Sequence, residues 1–223
     1  TFSGIGKKNN DDDYQKFSGE YDGDGHAIIG MVQNTASGIA AIFNETDGAV
    51  IKNLIVKDSY VAGNSNASLL VGRAIGTTVL NCYTSGIIFD GGSYSAGLIA
   101  NADNCRILNS ASDAWIWGKN NLGGLTGKML NNSMINNCYY GGWTGPRFWS
   151  VPSLKYCGAM SPELGWNTPA EARNCYWADT CKVRYFATPL EAINVGNSSG
   201  GTVTNCKAVS AEEVEATVAA LNA

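Results

Sequence analysis

All six tryptophans of this 223-residue chain, at positions 115, 117, 143, 149, 166 and 177, fall within 63 consecutive positions. Indole faces stack on sugar rings and anchor protein partners, so their chemistry is recognition by contact rather than bond making. The residues that make and break bonds are sparse by comparison. His26 is the only histidine, which excludes a multi-histidine metal site and a triad with a second supporting histidine. A β-helical lyase or glycosidase needs converging carboxylates. Asp90, Asp103, Asp113 and Asp179 are too scattered to share a column of the repeat described below. Asp11, Asp12, Asp13, Asp22 and Asp24 offer oxygen ligands, yet their spacing does not match an EF-hand loop, and they read as a solvated acidic entry segment. Seven cysteines, at 82, 105, 138, 157, 175, 181 and 206, contain no CxxC pair of metal-site spacing. Neither a metal nor another cofactor is expected, and the chain reads as non-enzymatic.

The elements that must position the tryptophans are visible as a repeat. Ile51-Lys52-Asn53-Leu54, Val79-Leu80-Asn81-Cys82, Ile107-Leu108-Asn109-Ser110 and Ile135-Asn136-Asn137-Cys138 share one pattern, and their asparagines are spaced 81−53 = 109−81 = 137−109 = 28. A fixed period of roughly 20 to 50 residues marks stacked supersecondary units. Ile42, Leu70 and Leu98 form a second column 11 residues before the asparagines, with Leu125 displaced by one. Ser59-Tyr60-Val61, Ile87-Ile88-Phe89, Trp115-Ile116-Trp117 and Trp143-Thr144-Gly145 form a third. Gly48, Gly63, Gly72, Gly76, Gly86, Gly91 and Gly92 fall between these patches and are expected to supply positive-φ corners. The pattern predicts an all-β, right-handed parallel β-helix with three short strands per rung of about 28 residues. Asn53, Asn81, Asn109 and Asn137 then begin the same strand of successive rungs and form a hydrogen-bonded ladder, a structural role.

After Asn137 the next matches, Asn174 and Asn205, come 37 and then 31 residues on, so nine residues are inserted over one period. The expected organisation is a polar N-terminal segment over 1–16, regular rungs over 17–142, an inserted loop over 143–171, final rungs over 172–209 and a capping helix over 210–223. The inserted stretch holds Pro146, Pro152, Pro162 and Pro169 together with Trp143, Phe148, Trp149, Tyr156 and Trp166, and proline excludes most of it from a central strand. Ser210 and Glu213 match a capping box, followed by Val214, Val218 and Leu221 on one helical face. Cys82 and Cys138 lie two rungs apart and are expected to be buried free thiols, out of bridging range. Cys175 and Cys181, six residues apart around Trp177, are the pair expected to form a disulfide if any does.

At these residues the chain resembles the bacterial GLUG-type repeat proteins, through Gly124-Leu125-Thr126-Gly127, Asn81-Cys82-Tyr83, Asn137-Cys138-Tyr139 and Asn174-Cys175-Tyr176. The opening Phe17-Ser18-Gly19-Glu20-Tyr21 and the closing Val218-Ala219-Ala220-Leu221-Asn222 add to it, and the likeness covers residues 17 to 142 and 172 to 222. The resemblance implies a β-solenoid of an adhesin-like surface or secreted protein, with no catalytic residue carried over.

If Ser59, Ile87, Trp115 and Trp143 point outward while Tyr60, Ile88, Ile116 and Thr144 point inward, the tryptophans form a flat aromatic ladder. With Trp149, Tyr156 and Trp166 from the loop, Trp115 and Trp143 then make a ligand surface for a glycan or a protein, as expected of a non-catalytic, extracellular, carbohydrate-binding or protein-binding adhesion module of a bacterial surface protein. The opposite parity would place the same tryptophans in the core. Self-assembly into a filament or surface layer is the second expectation, and a carbohydrate-active enzyme a weaker third. A net charge of −4 without a basic cluster gives no footprint for nucleic acid. No apolar run is long enough for membrane insertion.

Overall fold

Asparagine turns this chain from one face to the next. Asn53, Asn81, Asn109, Asn137, Asn174 and Asn205 all adopt left-handed backbone conformations, with φ between 48° and 54°, a region that asparagine tolerates better than most residues with a Cβ. Each lies at a corner between two strands rather than at the start of one, because a strand residue needs an extended backbone. The computed structural model describes residues 2–6, 15–36, 38–90, 92–146, 157–162, 164–165, 168–181 and 200–221, and shows a parallel β-solenoid of about six turns.

One rung illustrates the path: Val71–Ile75, Thr78–Leu80, Tyr83–Asp90 and Tyr94–Ala96, returning to the first face at Ile99–Asp103. Each strand pairs in parallel with its counterparts in neighbouring rungs, so the rung has four faces where three were expected. The first sheet has four strands, the second seven, the third ten and the fourth four. The inner column of the second sheet runs Tyr21, Ile51, Val79, Ile107, Ile135, Ala172 and Val203. Ile51, Val79, Ile107, Ile135 and Ala172 are inaccessible to solvent. Outward residues alternate with this column, among them Lys52, Thr78, Arg106, Asn136, Glu171 and Arg173, and stacking continues the core from rung to rung.

Register fixes the asparagine column, since Lys52, Leu80, Leu108, Asn136, Arg173 and Thr204 pair in succession and each is followed by the corner asparagine. Asn81 Nδ2 donates to Asn53 Oδ1 at 2.8 Å, and Asn53 Nδ2 donates to Asp22 Oδ1 at 3.0 Å. Asn205 donates to Asn174 at 2.8 Å, whereas Asn174 reaches Asn136 at 3.1 Å in place of Asn137. Gly48 and Gly76 turn the preceding corner with positive φ. Gly63, Gly72 and Gly92 do not; there a Cβ would lie 3.1 Å or closer to Ala40, Ile39 and Asn64 respectively, so close packing selects glycine.

The insertion is narrower than 143–171. Trp115 pairs with Trp143 and Gly118 with Pro146 at the regular offset of 28, Leu122 with Cys157 at 157−122 = 35, and Ser133 with Ala170 at 170−133 = 37. Seven extra residues therefore enter between Pro146 and Cys157 and two more between Leu164 and Ala170, while Trp143–Pro146, Cys157–Gly158 and Leu164 remain in the rung.

The first rung is partly covered by the N-terminal segment. Ile5 and Phe17, within and beside the 1–16 segment, bridge to Phe43 and Thr46 on the first strand of the first sheet, and Phe17 and Tyr21 pack their rings on Phe43 at 5.2 and 5.4 Å. Helix Ala211–Leu221 follows the last strand. The Ser210 amide donates to Glu213 Oε2 at 3.0 Å, half of the expected capping box, which holds the Glu213 carboxyl below its ordinary pKa.

Candidate functional site

Among the described residues, the third sheet exposes Tyr60, Trp115 and Trp143, because side chains alternate between inside and outside along its strands. Ala114 and Ile116 point inward and are inaccessible, while Trp115 between them is 51% exposed; in the next rung Thr144 is buried and Trp143 is 43% exposed. Pairing links Val32, Tyr60, Ile87, Trp115 and Trp143 across five successive rungs. All five are exposed, Val32 at 54%, Tyr60 at 36% and Ile87 at 37%. Their column is an apolar strip running along the solenoid axis. The indoles of Trp115 and Trp143 lie 6.3 Å apart and are canted by 37°, so the expected flat ladder is a twisted one.

Two details of the strip differ from the sequence pattern. Tyr60, not Ser59, belongs to the outer column: the offset between Ile55–Gly63 and Tyr83–Asp90 changes from 28 to 27 after Thr84, and Ser59 pairs with Gly86. Asp58, at φ 49°, is the extra residue of this bulge, and a bulge re-aims every side chain beyond it. Ser59 is accordingly buried, its hydroxyl accepting the Met31 amide at 3.2 Å. A parallel column two residues on holds Phe89 and Trp117, half-buried and edge to face at 6.5 Å.

Beside Trp115 the same alternation brings out Asp113, half-buried on the outer face. Tyr83, Ala111 and Tyr139 form the adjoining column. The Tyr83 hydroxyl donates to Asp113 Oδ2 at 2.7 Å. Gly141 follows Asp113 in the next rung, and a Cβ there would meet Asp113 Oδ1 at 2.4 Å and the Tyr139 ring at 3.1 Å. Glycine at 141 thus lets the Asp113 carboxylate and the Tyr139 ring close over the backbone of the next rung, and Tyr83, Asp113, Gly141 and Tyr139 form a polar cradle beside the column of Trp115 and Trp143. Burial, with the Asp113 charge next for Tyr83 and the Cys181 and Asp113 charges for Tyr139, pushes both phenols up to about 12. At neutral pH both remain hydrogen-bond donors. A period applied to Tyr83 and Tyr139, which are 139−83 = 2×28 apart, together with the alternation Asp113, Trp115, Trp117, is the sequence signal that would have found this cradle.

The remaining candidates lie elsewhere. Trp149, Tyr156 and Trp166, and Asp11 to Asp13, fall outside the described residues. His26 sits on an exposed turn of the first rung. Asp103, on the first sheet, accepts from Asn131 at 2.7 Å, and Asp22 is held low by Asn53 and the Asp24 amide. Among the described residues no three His, Cys, Asp or Glu side chains are grouped as metal ligands. Cys175 and Cys181 are both free thiols, not a disulfide. Cys175 faces the interior in the corner column against Cys138 and Cys206, while Cys181 turns back to donate to the Tyr140 carbonyl at 3.6 Å. Cys82 and Cys138 are buried free thiols.

No protein-family model matches the chain, so the GLUG resemblance rests on its motifs. Over 105 residues, 46% of this chain, the sequence is 30% identical to halomucin of Haloquadratum walsbyi (strain DSM 16790 / HBSQ001), a stretch amounting to 1% of that protein's length. The crystal structure of a "putative immunoglobulin A1 protease" from Bacteroides ovatus superposes with a TM-score of 0.72 at 17% identity, covering 98% of this chain and 76% of that one. At that identity the likeness is one of fold.

Proposed function

We propose that this chain is a non-catalytic binding module of an extracellular or cell-surface protein, with the outer face of the third sheet as its ligand surface. The observation that carries the reading is the unbroken exposed strip from Val32 to Trp143 on a scaffold whose inward side chains in the same strands are buried. Contiguous apolar surface of this kind marks interaction sites, and a rigid sheet presents the rings without an ordering penalty on binding. The local likeness to a very much longer protein named as a mucin supports a module used inside long extracellular chains. The inserted aromatics Trp149, Tyr156 and Trp166 are proposed to add to the same surface, since the insertion leaves the scaffold at the strand that carries Trp143.

The name of the Bacteroides ovatus neighbour raises proteolysis as an alternative, but shared fold does not transfer activity. Truncation tests the binding reading. Trp115→Ala and Trp143→Ala should each weaken attachment to intact cells or to purified extracellular matrix by about 2 kcal/mol, as interfacial anchors do. Their melting temperatures should stay within about 2 °C of the parent. Unfolding in step with lost attachment, or attachment unchanged in both variants, would refute the proposal.

A further inference from the structure

The cradle beside the strip has a chemistry of its own. It contains one carboxylate, Asp113, with Oδ2 engaged by the Tyr83 hydroxyl at 2.7 Å and Oδ1 over the bare backbone of Gly141. The exposed column of Trp115 and Trp143 runs beside it on two rungs. Sugar hydroxyls donate to such a carboxylate while the C–H face of the ring stacks on an adjacent indole. The strip also matches a chain in its dimension. Successive rungs advance by about 4.8 Å, close to the advance of one pyranose ring along an extended polysaccharide. Canting by 37° between Trp115 and Trp143 suits a chain whose successive rings are rotated, and does not suit the plane of a crystalline surface.

Charge narrows the class further. Asp113 places a carboxylate in the cradle, its Oδ2 held by the Tyr83 hydroxyl, so the charge offered to a ligand there is negative. Among the described residues the cations of this face are Lys57, Lys119 and Lys207, all exposed, with Lys207 two rungs beyond Tyr139 in the same column. Uronate or sulfated chains would meet repulsion at the cradle, and a protein segment offers no counterpart to the pyranose repeat.

Resting on the binding reading above, we infer that the ligand is a soluble, neutral polysaccharide lying along the solenoid axis, with its sugars stacked on Trp115 and Trp143 and a hydroxyl donating to Asp113. Affinity electrophoresis and calorimetry of the intact chain test this against soluble neutral chains (xylan, galactomannan, β-glucan, hydroxyethylcellulose), polygalacturonate, and crystalline cellulose and chitin. The expected result is binding to at least one neutral soluble chain, with none to polygalacturonate or the crystalline solids. Trp115→Phe should keep affinity within a few-fold, whereas Trp115→Leu, equally apolar but without a ring face, should lose at least ten-fold. Asp113→Asn should lose about ten-fold, and all three variants should melt as the parent does. Binding to polygalacturonate as tight as to any neutral chain, no neutral binding at all, or equal retention by Phe and Leu would overturn the inference. Periodate treatment of cells separates the two claims: attachment that survives it and is still lost in Trp115→Ala would leave the binding module standing with a protein as its ligand.

Discussion

At the scale of single residues, the fold depends on side chains chosen for conditions a hydrophobic pattern does not display. Asn81 satisfies two at once, a left-handed backbone at φ 53° and an amide bond to Asn53 at 2.8 Å. Asn81→Ala should therefore cost about 1 to 2 kcal/mol in urea unfolding, from left-handed strain plus the lost hydrogen bond. Asn81→Gly, which keeps the backbone and loses only the bond, should cost less; the reverse order would refute the corner role. The corner thiols add a pH dependence. Burial pushes Cys82 and Cys105 up to about 11. Above the ordinary thiol pKa of about 9, the unfolded chain releases these protons while the folded chain retains them. Stability therefore falls as pH rises from about 9 to 11 and is unaffected below, by roughly 1.4 kcal/mol per pH unit for each thiol. Cys82→Ser copies Ser110, which occupies the same column and makes the same bond to the carbonyl two residues back. It should flatten the alkaline limb of a melting profile measured against pH.

At the scale of elements, what was legible followed from what repeats. The 28-residue period and the parity of Ile88, Ile116 and Thr144 were readable because a parallel stack puts like side chains in like environments, rung after rung. The fourth face was not. Its strands are Asn66–Ser68, Tyr94–Ala96, Leu122–Gly123 and Cys157–Gly158, only two or three residues long and mostly of small residues, so no apolar alternation announces them. Tyr60 escaped for a different reason. A bulge at Asp58 changes the offset within one strand pair while the period from corner to corner stays 28, so spacing between asparagines carries no trace of it. The cradle was half legible: its tryptophans stood out by type, but Asp113 had meaning only once Tyr83 and Gly141 were known to be its neighbours in adjacent rungs, 113−83 = 30 and 141−113 = 28 residues away.

At the scale of the whole molecule, each rung touches only the rungs above and below, so stability is approximately a sum of rung and interface contributions. A solenoid of this kind should tolerate removal of one exact period, since every remaining residue meets a partner of the same column. Residues 110–137 are such a period, running from just after one corner asparagine to the next, 137−109 = 28. Their deletion joins Asn109 to Cys138, sets Trp143 against Ile87, and places Gly142 where Ala114 had followed Gly86 in register. The shortened chain should give the same far-UV circular dichroism per residue and a single cooperative melt, displaced downward by several degrees because one interface is lost. It should not bind, because Asp113 and Trp115 leave with the rung and Trp143 alone cannot form the canted pair. Deleting 14 residues, half a period, sets the strands of one face against the corners and strands of another and should abolish folding. A half-period deletion as stable as the full one would show that the columns, and with them the strip and cradle, do not hold the molecule together as described.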